Sequence, residues 1–353
     1  LSRDGKGKVT TPRAITIVGG GLAGLTLGIG LRQRGIPATI YEAGHYPRHR
    51  VCGEFISGNG PQVLKRLSLL PLIERAGAIR VRSATFIAGE NRSPVRNLSA
   101  PALGLSRYSL DAVLSNEFQR LGGELRPGAR RQEIGFGEGT IRASGRRAQS
   151  TENGWRWFGL KAHARNVNLS ADLEMHVSPD NYVGVNRIND GEVNICGLFR
   201  ARPGETGESG FELLRGRPGS PLHEMLGSAE FDENSFCSVA GLSLTPHRAA
   251  DQSEISIGDA VTMIPPVTGN GMSMAFESAE IAIDPLCRYS RDEMTWTEAR
   301  EVIAKMSDSA FAERLAWARR LQWLMFSSLV RTPLAKMLLN SDALWNFMFS
   351  KTR

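Results

Sequence analysis

The pattern of the chain predicts an α/β fold in two interleaved parts, followed by C-terminal helices. Three observations predict it. A short apolar run, Ile15 to Val18, enters a glycine turn and leaves it as an apolar helix, the order of a parallel β-α-β unit. Between residues 153 and 249, apolar and polar positions alternate in short runs separated by turn signals, which reads as antiparallel strands. From Phe311 onward, apolar residues recur at helical spacing. With 353 residues the chain is long enough for two cores, and 41% hydrophobic against 22% charged residues excludes disordered and fibrous classes.

The N-terminal stretch to Arg13 carries no apolar run and reads as a loose end without signal-peptide character. Ala14 to Leu31 then runs eighteen residues without a charge, about the length of a short membrane span, but six of the eighteen are glycine. A strand, a tight turn and a helix closed by Arg32, Arg34 and Gly35 account for it better than lipid does. Four cysteines, Cys52, Cys196, Cys237 and Cys287, form no C-x-x-C pair, so neither a disulfide framework nor a zinc knuckle is indicated, and a cytoplasmic location is expected. The six histidines lack metal-ligand spacing, so no metal is expected. The net charge of +7 gives no reason to expect nucleic acid as a partner.

Gly19-Gly20-Gly21-Leu22-Ala23-Gly24 satisfies G-x-G-x-x-G, in which the first glycine makes the turn, the second admits a pyrophosphate to the backbone and the third packs helix on strand. A second strand, Ala38 to Tyr41, ends on Glu42 and Ala43. Glu42 lies eighteen residues after Gly24, where an acid accepts the hydroxyls of an adenosine ribose. Far downstream, Ile255-Ser256-Ile257 reads as a strand running into Gly258-Asp259. It is followed by Pro265-Pro266-Val267-Thr268-Gly269-Asn270-Gly271 and a helix over Met272 to Ile283. A strand-end Gly-Asp sets a carboxylate beside a polyol, and a proline-glycine loop opening a helix aims free amides at an anion such as a reduced flavin. Enzymes that use NAD alone need no such second site, so the cofactor expected is FAD.

This pair of motifs, with Arg107 ahead of a helix beginning near Ser109, resembles the single-FAD-domain oxidoreductases that include para-hydroxybenzoate hydroxylase and the geranylgeranyl reductases. The resemblance spans most of the chain. It implies that Gly19, Gly21, Leu22, Ala23, Gly24, Glu42 and Ala43 hold the adenosine and pyrophosphate, that Gly258 and Asp259 contact the ribityl chain, and that Pro266, Gly269, Asn270, Gly271 and Met272 lie under the flavin ring. A weaker match, Thr140 to Arg147, places Ser144 and Gly145 at the family's third FAD motif. Pro47 to Glu54 contains a Pro-x-x-x-x-Cys-Gly element, Cys52-Gly53, characteristic of the geranylgeranyl reductase branch; Gly53 would let backbone approach the ring edge, and Arg50 would face a pyrophosphate. Cys52 also reads simply as a small buried hydrophobe.

The fold class is therefore α/β: a Rossmann-like FAD-binding domain over 12-80, 101-152 and 250-290, interleaved with a mostly antiparallel β-sheet substrate domain over 81-100 and 153-249. A helical segment over 291-353 completes it. On the strand Trp155 to His163, alternation places Trp155, Trp157, Gly159, Lys161 and His163 on one face. With Glu54, the residues Trp157, Lys161 and His163 are expected to line a substrate pocket.

The leading expectation is an FAD-dependent oxidoreductase on a lipophilic substrate of isoprenoid, quinone or polyketide type, like the geranylgeranyl reductases. The alternatives are a flavin monooxygenase acting on an aromatic or polyketide substrate and a non-catalytic prenyl-lipid binding protein. A second G-x-G-x-x-G is absent, so NAD(P)H is expected to bind transiently, or a redox partner protein to deliver electrons. From Arg314 to Arg353 seven basic residues face one acid, Asp342, among apolar helical faces. That segment is expected either to cover the substrate domain as a lid or to make a peripheral membrane contact.

Overall fold

A computed structural model describes residues 11–130, 136–149, 151–189, 191–205, 209–327 and 340–351. In chain order the elements are β1 (Ile15–Val18), α1 (Leu22–Arg32), β2 (Ala38–Glu42), β3 (Phe55–Ile56), α2 (Gly60–Arg66), α3 (Leu70–Arg75), β4 (Ile79–Ala88), β5 (Asn91–Arg92), β6 (Arg96–Gly104), α4 (Arg107–Arg120) and β7 (Glu124–Pro127). Then come β8 (Thr140–Arg142), β9 (Arg156–Arg165), β10 (Leu173–Ser178), β11 (Asn181–Asn189), β12 (Glu192–Ala201), α5 (Gly210–Arg215), α6 (Pro221–Met225), β13 (Glu230–Ala240), α7 (Gly271–Ser290), α8 (Trp296–Met325) and α9 (Asp342–Lys351).

The first sheet has the order β7-β2-β1-β8 and is parallel throughout, as a Rossmann-like unit requires. Helix α1 is buried on every side from Leu22 to Leu31, because the sheet, α4 and α7 enclose it; Leu25, Ile29, Phe118, Phe276 and Ile283 share its core. Small residues permit that approach: a Cβ on Gly28 would fall 2.8 Å from Phe118, and one on Gly30 would fall 2.2 Å from Ile283.

The second sheet runs β13-β9-β12-β11-β10-β4-β6-β3, with β5 paired to β4. Its pairings are antiparallel except β10 with β4. Strand β9 shows the alternation that the sequence predicts. Leu160, Ala162 and Ala164 pack behind the sheet on Leu214 and Leu222 of α5 and α6, while Gly159, Lys161 and His163 take the other face.

Several boundaries move. Helix α4 begins at Arg107, with the Ser106 hydroxyl accepting from the Ser109 amide. Ile255 to Ile257 meets the first sheet only through a bridge of Ser256 to Arg142. Helix α7 continues to Ser290 through Pro285. Strands β3 and β6 belong to the second sheet, so that sheet reaches into segments read from sequence as FAD domain. Strands β11 and β12 pair antiparallel, with Asn189 opposite Glu192; Asp190 lies outside the described residues. Among the described residues, no helix is long and apolar enough to cross a membrane.

Candidate functional site

One cavity of about 920 Å³ runs from the C-terminal edge of the parallel sheet to the face of the second sheet. At its near end the glycine turn separates two jobs. Gly19 has φ +115°, and a Cβ there would meet the Ala143 carbonyl oxygen at 2.2 Å; a Cβ on Gly24 would meet the Gly19 carbonyl at 1.9 Å. Those two hold strand and helix together. At Gly21, by contrast, a Cβ would meet nothing within 4 Å, and its backbone lines the cavity at the N-terminus of α1. The turn is thus a cradle with one open side, where unpaired helix amides favour an anion.

Glu42 ends β2 at the cavity wall, and its carboxylate binds the turn to the next loop. Oε2 accepts from Gly20 N at 2.8 Å, and Oε1 accepts from Gly44 N at 2.9 Å and from Arg48 Nη2 at 2.5 Å. Burial raises its pKa, but the Gly44 and Gly20 amides with Arg48 and Arg50 outweigh burial, and the group sits below the ordinary carboxylate value. Tyr46 closes the same corner by donating to the Gly20 carbonyl at 2.5 Å. Arg50 lines the cavity and donates from Nε to Asp111 at 3.0 Å; its Nη2 is buried, 3.6 Å from Glu42 Oε2, and makes no hydrogen bond. Arg107 is held in a fork by both oxygens of the fully buried Asp111, at 2.7 and 2.8 Å. Two guanidiniums therefore stand on one carboxylate at the cavity edge.

Pro266, Gly269, Gly271 and Met272 form the opposing wall, with Gly269 at φ +61°. Asn270, fully buried, is the N-cap of α7, whose first amides have no partner within the helix. Asp259 also lines the cavity. Burial pushes its carboxyl up to about 6, against the pull of Arg107 and Arg146. Gly258 sits behind it against Ala23, with its amide donating to Ser278 Oγ at 2.9 Å.

Below the Cys52-Gly53 turn lies a buried charged cluster. Glu54 is fully buried with φ +53°, a left-handed backbone that costs a non-glycine residue on the order of 1 kcal/mol or more. Its Oε1 accepts from Arg107 N at 2.8 Å and lies 3.5 Å from Lys161 Nζ, and its Oε2 meets His163 Nε2 at 2.7 Å. Lys161, also fully buried, reaches His49 Nδ1 at 3.1 Å. Cys196 and Cys237 stand opposite Lys161 on the two neighbouring strands. Burial raises the thiol pKa of Cys52, Cys196 and Cys237, so none is set up as a thiolate.

The far end of the cavity is apolar. Phe86, Met175 and Leu198 from the second sheet face Leu321, Leu324 and Met325 of α8 and Trp345 and Phe349 of α9. Tyr182 lies among them, buried, with no hydrogen-bond partner at Oη. Helix α9 is anchored by Arg96, which donates to Asp342 at 2.7 Å and lies over the Trp345 ring.

The structure brings most of the residues read from sequence to this cavity: Gly19, Gly21, Leu22, Ala23, Glu42, Ala43, Arg50, Cys52, Gly53, Glu54, Arg107, Ser144, Gly145, Asp259, Pro266, Gly269, Gly271 and Met272. Gly24, Gly258 and Asn270 stand one layer behind. Lys161 and His163 do not line the cavity but touch two residues that do, Glu54 at 3.5 and 2.7 Å and His49, which Lys161 reaches at 3.1 Å. Two aromatic placements are corrected. Trp157 packs edge-on against Phe326, supporting the apolar wall from outside. Trp155 precedes β9 and is covered by the Arg200 and Arg202 guanidiniums at 4.3 and 3.8 Å, so it never joins the alternating face. Sequence reasoning missed Asp111 and Tyr182. The spacing of Arg107 to Asp111, i to i+4 on a helix, was a usable signal for the first; an isolated tyrosine in a strand gave none for the second.

No protein-family model matches the chain, and no curated protein sequence matches it. Solved structures do. The flavin-dependent brominase Bmp2 superposes with a TM-score of 0.75 at 16% identity, over 97% of this chain and 93% of that one. The myxobacterial chondrochloren halogenase CndH, an FAD-dependent halogenase, gives 0.68 at 20% identity over 94% and 84%. PqsL of P. aeruginosa, in complex with 2-aminobenzoylacetate, gives 0.69 at 15% over 89% and 97%. The fold expected from the motifs is the fold of these proteins. The finer likeness to geranylgeranyl reductases and para-hydroxybenzoate hydroxylase is carried by the motifs alone.

Proposed function

We propose that the chain binds FAD and is an FAD-dependent oxidoreductase acting on a lipophilic substrate. One observation carries this: a single cavity joins a glycine cradle with unpaired helix amides to an apolar chamber, and the second sheet and the C-terminal helices enclose that chamber. The residues present fit the cofactor. Gly21 leaves room for a pyrophosphate against the backbone, and Arg50 Nη2 is a buried donor without a hydrogen bond. Glu42 accepts three hydrogen bonds and has acceptor capacity left for a ribose hydroxyl. Asp259 and the first turn of α7 line the cavity where they would hold the ribityl chain and the flavin ring. When bound, FAD supplies a centre that accepts or donates two electrons. The protein's share is to hold it, exclude water and place the substrate, for which the Tyr182 hydroxyl offers a hydrogen bond inside an otherwise apolar wall.

Two chemistries fit this cavity. The Cys52-Gly53 element supports reduction of a lipophilic double bond, as in geranylgeranyl reductases. The shared fold with flavin-dependent halogenases supports oxidation of the substrate with molecular oxygen, the monooxygenase reading, and we place that first because it agrees over nearly the whole chain. Electrons come from transiently bound NAD(P)H or from a redox partner protein. The test is to supply NADH or NADPH with a panel of lipophilic phenols, quinones and polyprenyl compounds. Substrate-dependent oxygen uptake supports the oxidative reading, whereas a product gaining two hydrogens without oxygen supports the reductase.

The C-terminal helices carry a second part of the proposal. Helix α8 turns Leu321, Leu324 and Met325 to the cavity, which is the lid. Its outer side shows Trp323, 68% exposed, beside exposed Arg319 and Arg320, and α9 adds exposed Phe347. We assign to this outer side a peripheral contact with anionic lipid. Two charges counted in sequence are already engaged, Arg314 by Glu277 and Lys351 by Glu313, both at 2.7 Å; Arg331, Lys336 and Arg353 lie outside the described residues.

A further inference from the structure

Resting on the reading of the cavity as a flavin site for a lipophilic substrate, we propose that His49 binds that substrate by donating from Nε2 to a carbonyl oxygen, with Lys161 positioning the ring. The substrate class this implies is a lipophile that carries a carbonyl or quinone oxygen at one end. His49 lines the cavity, and its other sides are held. The ring stacks on Tyr108 at 4.7 Å and meets the His163 ring nearly at a right angle at 5.1 Å. Its Nδ1 lies 3.1 Å from Lys161 Nζ, and that Nζ is paired with Glu54 at 3.5 Å. An ammonium has three donors and no acceptor, so Nδ1 must accept and the neutral ring carries its proton on Nε2. Among the described residues Nε2 has no hydrogen-bond partner, and it is not closed off by burial.

The charged and titratable groups around the ring are Lys161 and His163 on β9, Asp232 on β13, Tyr108 on α4, and Glu54. Burial first, then Lys161 and His163, hold the imidazole pKa below its ordinary value against Glu54 and Asp232, which keeps the ring neutral near pH 7. Lys161 is fully buried and does not line the cavity, so it acts on a substrate through His49.

The sheet face sets the two ends of the substrate. Lys161 stands opposite Cys196, Cys196 opposite Gly184, Gly184 opposite Met175 and Met175 opposite Phe86, a single row across neighbouring strands. Its strand spacings make that row about 19 Å long. Beyond Lys161 every member lines the cavity. Gly184 leaves the middle low, and Met175 and Phe86, with Trp345 edge-on to Phe86 at 5.3 Å, make the far end apolar. A hydrocarbon tail belongs at the Phe86 end and the oxygen at His49. Of the other donors, Arg107 is held by Asp111, and Tyr182 stands in the next row, between Val177 and Leu198 in the apolar stretch.

The test needs no turnover. Octanophenone, isotopically labelled at its carbonyl carbon, is bound to the apoprotein and to the FAD-loaded protein, and its C=O stretch is read by infrared difference spectroscopy. In the wild type the stretch is expected at lower frequency than in hexane, the mark of an accepted hydrogen bond. His49→Phe keeps a ring to stack on Tyr108; it is expected to return the stretch to its hexane position and to weaken binding about tenfold, with octylbenzene unaffected. His49→Gln offers Lys161 an acceptor and the cavity a donor, and is expected to restore most of the shift. A hexane-like stretch in the wild type, or no binding of octanophenone, overturns the proposal without any variant. So does a shift that survives in folded His49→Phe, or one that Tyr182→Phe removes instead. If FAD does not bind, the flavin reading falls while the apoprotein spectra still decide the role of His49. If FAD binds and the stretch is unshifted, the role of His49 falls alone.

Discussion

Asp259 shows how one residue couples the site to the stability of the chain. Its carboxyl is raised from 3.8 to about 6 by burial, so between those values the folded chain holds a proton that the unfolded chain has lost. Stability from this group is therefore present at low pH and falls as pH rises through that window, by up to on the order of 3 kcal/mol. Asp259→Asn is expected to match the wild-type apoprotein near pH 4, to exceed it in urea midpoint at pH 7, and to bind FAD more weakly; equal midpoints at pH 7 would show that the carboxyl is not destabilised by its site. Glu42 has the opposite sign. Its lowered pKa contributes stability above the ordinary carboxylate range that is lost as the group protonates in acid. Glu42→Ala leaves the Gly20 and Gly44 amides and Arg48 without their acceptor, and is expected to cost roughly 1 to 3 kcal/mol in FAD affinity. An unchanged dissociation constant would mean that this strand end does not hold the ribose.

The β1-α1 turn separates folding from binding within three residues. A methyl at Gly24 collides with the Gly19 carbonyl, so Gly24→Ala is expected to lower the melting temperature of the apoprotein sharply. At Gly21 the backbone is extended, with φ −82° and ψ −170°, and the added methyl meets only the cavity. Gly21→Ala should therefore melt like wild type yet bind FAD poorly; wild-type affinity in that variant would show that no phosphate approaches this backbone. The turn was legible in the sequence because strand, glycines, helix and acid all lie within one local stretch. So was the face of β9, whose period of two put Lys161 and His163 together. Glu54 was read beside them as a pocket residue, but their pairing as an ion cluster was not legible. Glu54 is more than a hundred residues upstream, immediately before the short strand β3 of the same sheet, and only tertiary pairing shows that a predicted substrate pocket is a buried ion cluster. Trp155 was misplaced for a related reason, since β9 begins one residue later and alternation has no meaning beyond a strand's end.

Across the molecule, the excess hydrophobicity of the C-terminal helices has two destinations, of which the sequence pattern could name but not choose. Phe311, Leu315 and Ala318 pack against Met274 and Ile264, Leu321, Leu324 and Met325 close the cavity, and Trp323 remains outside with Arg319 and Arg320. Flotation with anionic liposomes that weakens with added salt is expected of the FAD-loaded protein, and Trp323→Ser with Arg319→Ser and Arg320→Ser should abolish it while leaving FAD bound. Protein that stays at the bottom of the gradient with anionic and neutral vesicles alike would confine these helices to the lid. All of these readings depend on the glycine cradle and the α7 wall holding one flavin between them. The most direct measurement is titration of the purified chain with FAD, followed by absorbance and melting. The account predicts a yellow protein with the oxidised-flavin spectrum, one FAD per chain, and a melting temperature that rises with free FAD. Colourless protein that takes up no FAD and melts at the same temperature in its presence would contradict the account and leave a lipid-binding scaffold in its place.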